Sequence, residues 1–185
     1  MCYYITAVVP NQVHLEKIQK MLKSYNLEFN EIINPYILNQ LSNRYRYFRP
    51  TTSTCDCDSE LGKSNGYQKN EHKSAISKLQ KKGWSQSKID RWFEERKNYK
   101  IKTDPKVESS NKMFWHQFIV KFLKTNLSNE FGLLVHWYEK NLEDENFHLK
   151  NIQKIKFESI SDFNFSKIEY DTLYLFVRSF DKIST

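Results

Sequence analysis

Glycine and proline are scarce in this chain, four of each among 185 residues. That scarcity excludes collagen-like, low-complexity and proline-rich linker proteins. Cysteine is scarcer still, with three. An odd count, with Cys55 and Cys57 only one residue apart and too close for an ordinary structural disulfide, does not make a disulfide framework. It predicts reduced thiols and a cytoplasmic setting. No apolar run reaches the roughly 18 residues that would suggest a membrane-spanning helix. The opening MCYYITAVVP is apolar but has no basic leader, so it does not read as a secretory signal. P-loop, dinucleotide-binding, nucleophile-elbow and zinc-protease spacings are all missing.

Aromatic residues and positive charge are plentiful. Aromatics make up 15% of the chain, which favours a folded core over disorder. The net charge is +7 and the isoelectric point about 9.2. Residues 63–106 hold 13 Lys/Arg against 5 Asp/Glu, a net of +8, and the remainder nets −1. The surplus positive charge is therefore confined to one segment.

Hydrophobic spacing outlines the elements. CYYITAVV, 2–9, reads as a strand rich in β-branched and aromatic residues, closed by Pro10. Asn11 is placed to cap a helix over about 12–25, with Leu15, Ile18, Leu22 and Tyr25 on one face. LEFNEII, 27–33, alternates like a short strand. Asn34-Pro35 then fits an N-cap followed by proline at the first helical position. RYRYFRPTT, 44–52, reads as a strand, and its Pro50 suggests a sheet edge or a strand end. Phe114, Phe118 and Phe122 mark an apolar helix over 108–125, FGLLVHWY, 131–138, a central strand, and DTLYLFVRSF, 171–180, a last strand. Within the basic segment, Gly83-Trp84-Ser85 separates two short helices, one through Ile76 and Leu79 and one through Ile89, Trp92 and Phe93.

These elements predict an α+β fold in one domain, 1–185. It has a four- to five-stranded mixed or mostly antiparallel sheet with helices mainly on one face, and residues 63–106 form a basic helical hairpin insertion. The late strands have no helix between them, which favours antiparallel pairing there.

Several residues can carry chemistry. Cys55 and Cys57 have C-x-C spacing and would face the same way on an extended segment, so two thiolates can meet one metal ion, with Cys2 or a histidine completing the shell. Zinc is the cofactor such a set would suit. The ordinary reading is a loop with inert thiols. Asp56, Asp58 and Glu60 begin like a calcium loop, but Gly62 comes one place late and Tyr67 stands where the closing glutamate belongs. Turn and capping chemistry is the plainer reading of those carboxylates. Cys2, if Met1 is removed, would set a free amine beside a thiol as a nucleophile, yet the chain continues with Tyr3-Tyr4. His136 lies on the central strand, where a hydrogen-bonded core histidine is the common case. His116, on the apolar helix, is placed to approach it.

The basic segment offers Lys73, Lys78, Lys81, Lys82, Lys88, Arg91, Arg96 and Lys97 with Trp84 among them. Cations that neutralise phosphates and aromatics that stack on bases are the parts of a nucleic-acid surface. The leading expectation is a non-catalytic binding protein that engages an acidic macromolecule, nucleic acid or protein, through this segment. One alternative is an inhibitor or immunity-type protein acting by protein–protein contact. The other is a metal-binding or cysteine-dependent enzyme using Cys2, Cys55 and Cys57.

Overall fold

A computed structural model describes residues 2–57, 59–62, 76–77, 79–92 and 113–179. Its centre is a six-stranded mixed sheet in the order β2-β3-β1-β4-β6-β5. The strands are β1 (Cys2–Pro10), β2 (Leu27–Glu31), β3 (Tyr45–Thr51), β4 (Glu130–Tyr138), β5 (Asn151–Lys156) and β6 (Thr172–Val177). Helices among the described residues include α1 (Leu15–Ser24), α2 (Pro35–Leu38), α3 (Glu60–Gly62) and α4 (Phe114–Lys124). The α+β class agrees with the sequence reading, but the sheet has six strands rather than four or five. Strands β2 and β5 are its two edges.

The two longer helices share one face of the sheet. In α4, Trp115, Phe118, Ile119, Phe122 and Leu123 are buried, the i, i+3, i+4 stripe of a helix laid on a sheet. They meet Phe48 and Phe131 from the strands and Ile18 and Leu22 from α1. Phe118 and Phe131 lie 5.5 Å apart with their planes nearly perpendicular, a favoured aromatic geometry. The opposite face carries a smaller core, in which Val8, Tyr47, Leu134, Tyr138, Leu173 and Leu175 are covered by Ile37 of α2 and Phe147 of the loop after β4.

Local chemistry sets the helix ends. Helix α1 starts one turn later than expected, with His14 at its N-cap. Asn11 instead turns the chain, its side chain donating to the Asn43 carbonyl at 2.6 Å. Asn26, at φ 51°, ends α1 and redirects the chain into β2. Asn34 caps α2 as expected, accepting from the Ile37 N–H at 3.0 Å. Arg178 closes α4 by donating to the Leu123 carbonyl at 3.0 Å and to Asn126 at 2.8 Å.

One further expectation is corrected. Strands β5 and β6 pair in parallel, not antiparallel. The chain between them turns through two 3-10 segments, Phe157–Ser159 and Phe165–Lys167, and buries Ile160 and Phe165 against the α4 face. That covered crossover brings β6 back in the direction of β5. Pro50 marks a strand end, as one of the two readings had it, and not a sheet edge: it is the penultimate residue of β3, which lies between β2 and β1. It falls where the β1–β3 ladder, which runs from Ala7↔Phe48 to Pro10↔Tyr45, has already ended.

The basic segment lies mostly outside the described residues. Within 79–92, Gly83 is at φ 77° and the Trp84 N–H donates to the Leu79 carbonyl at 3.1 Å, a glycine-terminated helix end. Ser85 opens the next helical turn, its carbonyl accepting from Lys88 and Ile89, and Ile89 is fully buried.

Candidate metal centre

Proline at position 50 has a consequence for β1. Beyond the end of the β3 ladder, the first half of β1 has an unfilled edge, with the Tyr3 and Ile5 backbone groups in need of partners. The loop after β3 supplies them. The Asp56 N–H donates to the Tyr3 carbonyl at 2.9 Å, and Asp56 Oδ2 accepts from the Ile5 N–H at 2.8 Å. The Tyr3 N–H in turn donates to Cys57 Sγ at 3.3 Å. The loop thus stands in for a strand, and its docking carries Cys55 and Cys57 to the start of β1.

The docked loop is well fastened. Asp56 is 2% exposed, and its carboxylate also accepts from the Thr51 hydroxyl at 3.0 Å and the Ser53 hydroxyl at 2.9 Å. Ser59 donates to the Asp56 carbonyl at 2.6 Å and accepts from the Gly62 N–H at 3.1 Å. A side chain at Gly62 would collide with that same carbonyl, so only glycine closes the turn. Leu61 is buried in the main core, and the Tyr170 hydroxyl donates to the Gly62 carbonyl at 3.1 Å. Asp56 is therefore a structural carboxylate, as the turn reading expected.

The result is a cluster of three thiols. The sulfurs of Cys2, Cys55 and Cys57 all lie within 4.8 Å of one another. All three cysteines are free and half-buried. Cys55 lies beside the Cys57 backbone and the other two thiols. The Cys57 N–H bond is the largest influence, and it and the two thiols outweigh burial to hold the Cys55 thiol below its ordinary range. Burial does the opposite at Cys57, whose thiol is pushed up to about 11 despite the Tyr3 N–H bond, with Cys55 adding to the rise. The cluster thus contains thiols of unequal acidity. Among the described residues no histidine or carboxylate joins it, and Asp58 lies outside them.

The chain matches no protein-family model, no curated protein and no solved structure.

His136 and His116 do not meet. His136 sits on the face of the smaller core, stacked on Phe147 at 3.5 Å between ring centres, whereas α4 packs on the other side of the sheet. His136 Nδ1 pairs with Asp171 Oδ1 at 2.6 Å, the core hydrogen bond expected of it. Asp171 also binds Lys150 at 2.7 Å, and Glu145 Oε1 stands 3.8 Å from His136 Nε2. This Asp171–His136–Glu145 arrangement was missed in the sequence. Its signal was an ionisable ring in an otherwise apolar strand, which requires a polar partner. Of the basic set, Lys81, Lys82, Lys88 and Arg91 are exposed, and Trp84 is half-buried with the Lys88 ammonium 4.2 Å from its ring centre. Lys73, Lys78, Arg96 and Lys97 lie outside the described residues.

Proposed function

We propose that this protein binds a thiophilic metal ion, zinc in the first instance, through Cys2, Cys55 and Cys57. The convergence of three sulfurs within 4.8 Å, brought from β1 and from a separate loop, carries the reading. Two sulfurs on one tetrahedral zinc stand about 3.8 Å apart, given Zn–S bonds of about 2.3 Å. Small side-chain rotations of the three cysteines would therefore suffice. Thiolates are soft ligands and select zinc or monovalent copper over calcium and magnesium. Among the described residues the set has three ligands, which leaves one position for water, a substrate or a further side chain.

The test is direct. Protein purified under reducing conditions is stripped with a chelator and titrated with zinc against a competing dye. One equivalent per chain is expected, with cobalt substitution giving thiolate-to-metal absorption. Cys55→Ser combined with Cys57→Ser should abolish both. Failure of the unaltered protein to take up an equivalent of zinc or copper(I) would remove the proposal.

A second reading has its own observation. Lys81, Lys82, Lys88 and Arg91 are all exposed on the described part of the basic segment, while Ile89 is fully buried. We infer from this a surface that engages an acidic macromolecule, nucleic acid or protein. Its binding should weaken steeply as salt rises, and charge reversal at Lys81, Lys82 and Arg91 should abolish it. An unchanged affinity after those reversals would end this reading, and nuclease treatment of a captured complex separates the two partner classes.

A further inference from the structure

We propose that the sheet edge at β5 receives an extended acidic segment of a partner protein as an added strand. This surface shares no residue with the thiol cluster or the basic segment, so it stands or falls independently of both. In the sheet order β5 is terminal, and β6 is its one neighbouring strand. A strand paired on one side leaves the N–H and C=O groups of alternate residues pointing outward. Beyond the β6 ladder, no other backbone group among the described residues bonds to 151–156. Five of these residues are exposed and Ile155 is half-buried.

The two edges of the sheet differ. The ladder of β2 to β3 shifts register between Leu27 and Asn30, and Glu31 is gripped by Arg46 through hydrogen bonds of 2.9 and 2.7 Å. An irregular edge of that kind resists a further strand. Strand β5 pairs with β6 in unbroken register from Asn151↔Thr172 to Lys156↔Val177. It therefore offers a regular template along its whole length.

The side chains specify the partner. Ile152, Lys154 and Lys156 alternate onto one face, in register with Leu173, Leu175 and Val177. Leu173 and Leu175 are buried in the smaller core, yet Ile152 beside them is 45% exposed. Lys150, just before the strand, is bound to Asp171 at 2.7 Å. Among the described residues Lys154 and Lys156 have no carboxylate partner. A second copy of this chain is the wrong occupant. Antiparallel pairing of β5 with β5 about a two-fold axis sets Lys154 against Lys154. A two-residue slip sets Lys154 against Lys156, or Lys156 against Lys150. Like charges directly opposite each other disfavour such pairing, whereas opposite charges favour it. The same lysines that repel this chain's own edge thus attract an acidic one. An antiparallel strand would read acidic, any, acidic, any, apolar, with its acids opposite Lys156 and Lys154 and its apolar residue opposite Ile152. Backbone bonds would supply affinity and alternate side chains the choice of partner.

The probe is the end-blocked hexapeptide Glu-Val-Glu-Thr-Ile-Thr, titrated into the isotope-labelled full chain. Saturable shifts of the amide resonances over 150–156 and along β6 are expected, with slowed amide exchange at alternate residues of β5. The same peptide methylated at its backbone nitrogens keeps the charge but lacks the donors, and it should not bind the native protein. Lys154→Glu combined with Lys156→Glu changes two exposed positions and should weaken binding roughly tenfold. The peptide Lys-Val-Lys-Thr-Ile-Thr should bind that variant better than it binds the native chain. Equal binding of the methylated peptide would show charge attraction without strand addition and would overturn the proposal. So would the absence of binding at roughly millimolar peptide, shifts centred away from β5, or a dimer of the free chain that protects the β5 amides.

Discussion

At the scale of single residues, buried charge is decisive. Asp56 serves three donors from a 2% exposed position. Asp56→Ala leaves the Ile5 N–H buried without a partner and two hydroxyls unserved. It should cost about 2–4 kcal/mol in chemical denaturation. Because Asp56 seats the loop, the same variant should lose the metal equivalent. A variant that keeps full zinc affinity would show that the thiols do not depend on this docking. Asp171 offers a pH prediction. Burial alone would raise its carboxyl, but hydrogen bonds from His136 and Lys150, with their charges, outweigh burial and hold it below the usual carboxylate range. Such a group contributes stability above its unfolded value of about 3.9 and loses it as pH falls through its folded value. Asp171→Asn should therefore be less stable than the native protein at pH 7 by roughly 1–3 kcal/mol. Unfolding curves from pH 7 to pH 3 should show the gap closing, and a gap constant with pH would contradict the ion pair's role.

At the scale of elements, two glycines separate the fold from the site. Gly132 on β4 faces Val8 on β1, and an added methyl would strike the Val8 side chain and press on Leu173. Gly132→Ala should lower global stability by about 1–3 kcal/mol through overpacking, with zinc affinity of the folded fraction kept. Gly62→Ala strikes the Asp56 backbone instead, so it should lower zinc affinity by more than its effect on denaturation implies. Equal effects of the two variants on metal binding would sink the view that loop and sheet are separable. These elements also show how legible the fold was. The buried stripe of α4, the cap at Asn34 and the central position of β4 follow from residue type and spacing, because one face of each must leave water. The parallel pairing of β5 and β6 does not follow, because it depends on Ile160 and Phe165 folding the crossover over the sheet. Those side chains sit among polar residues with no helical or strand period to announce them.

At the scale of the whole molecule, the thiol site shows the limit of spacing as evidence. Cys55 and Cys57 announced themselves as a pair, but their meeting with Cys2 depends on Pro50. A proline in β3 carries no N–H for a β1 ladder, and the following loop fills the vacant edge of β1 with Asp56 and Cys57. No local pattern encodes that substitution, since it arises only once the sheet order is known. The same connectivity would give the proposed metal binding a global effect. An ion held jointly by β1 and the loop binds the folded chain and loses its three-point site on unfolding, so it stabilises the fold by mass action. At free zinc a hundredfold above the dissociation constant, the gain is about 2.7 kcal/mol. For a chain of this size, each kcal/mol raises the melting temperature by about 2–4 °C. Thermal scans of the stripped protein should therefore shift upward by roughly 5–10 °C with zinc, in proportion to the logarithm of its concentration. Cys55→Ser combined with Cys57→Ser should not move. If the doubly substituted protein shifts as far as the native one, the stabilising ion sits elsewhere and the three thiols are bystanders.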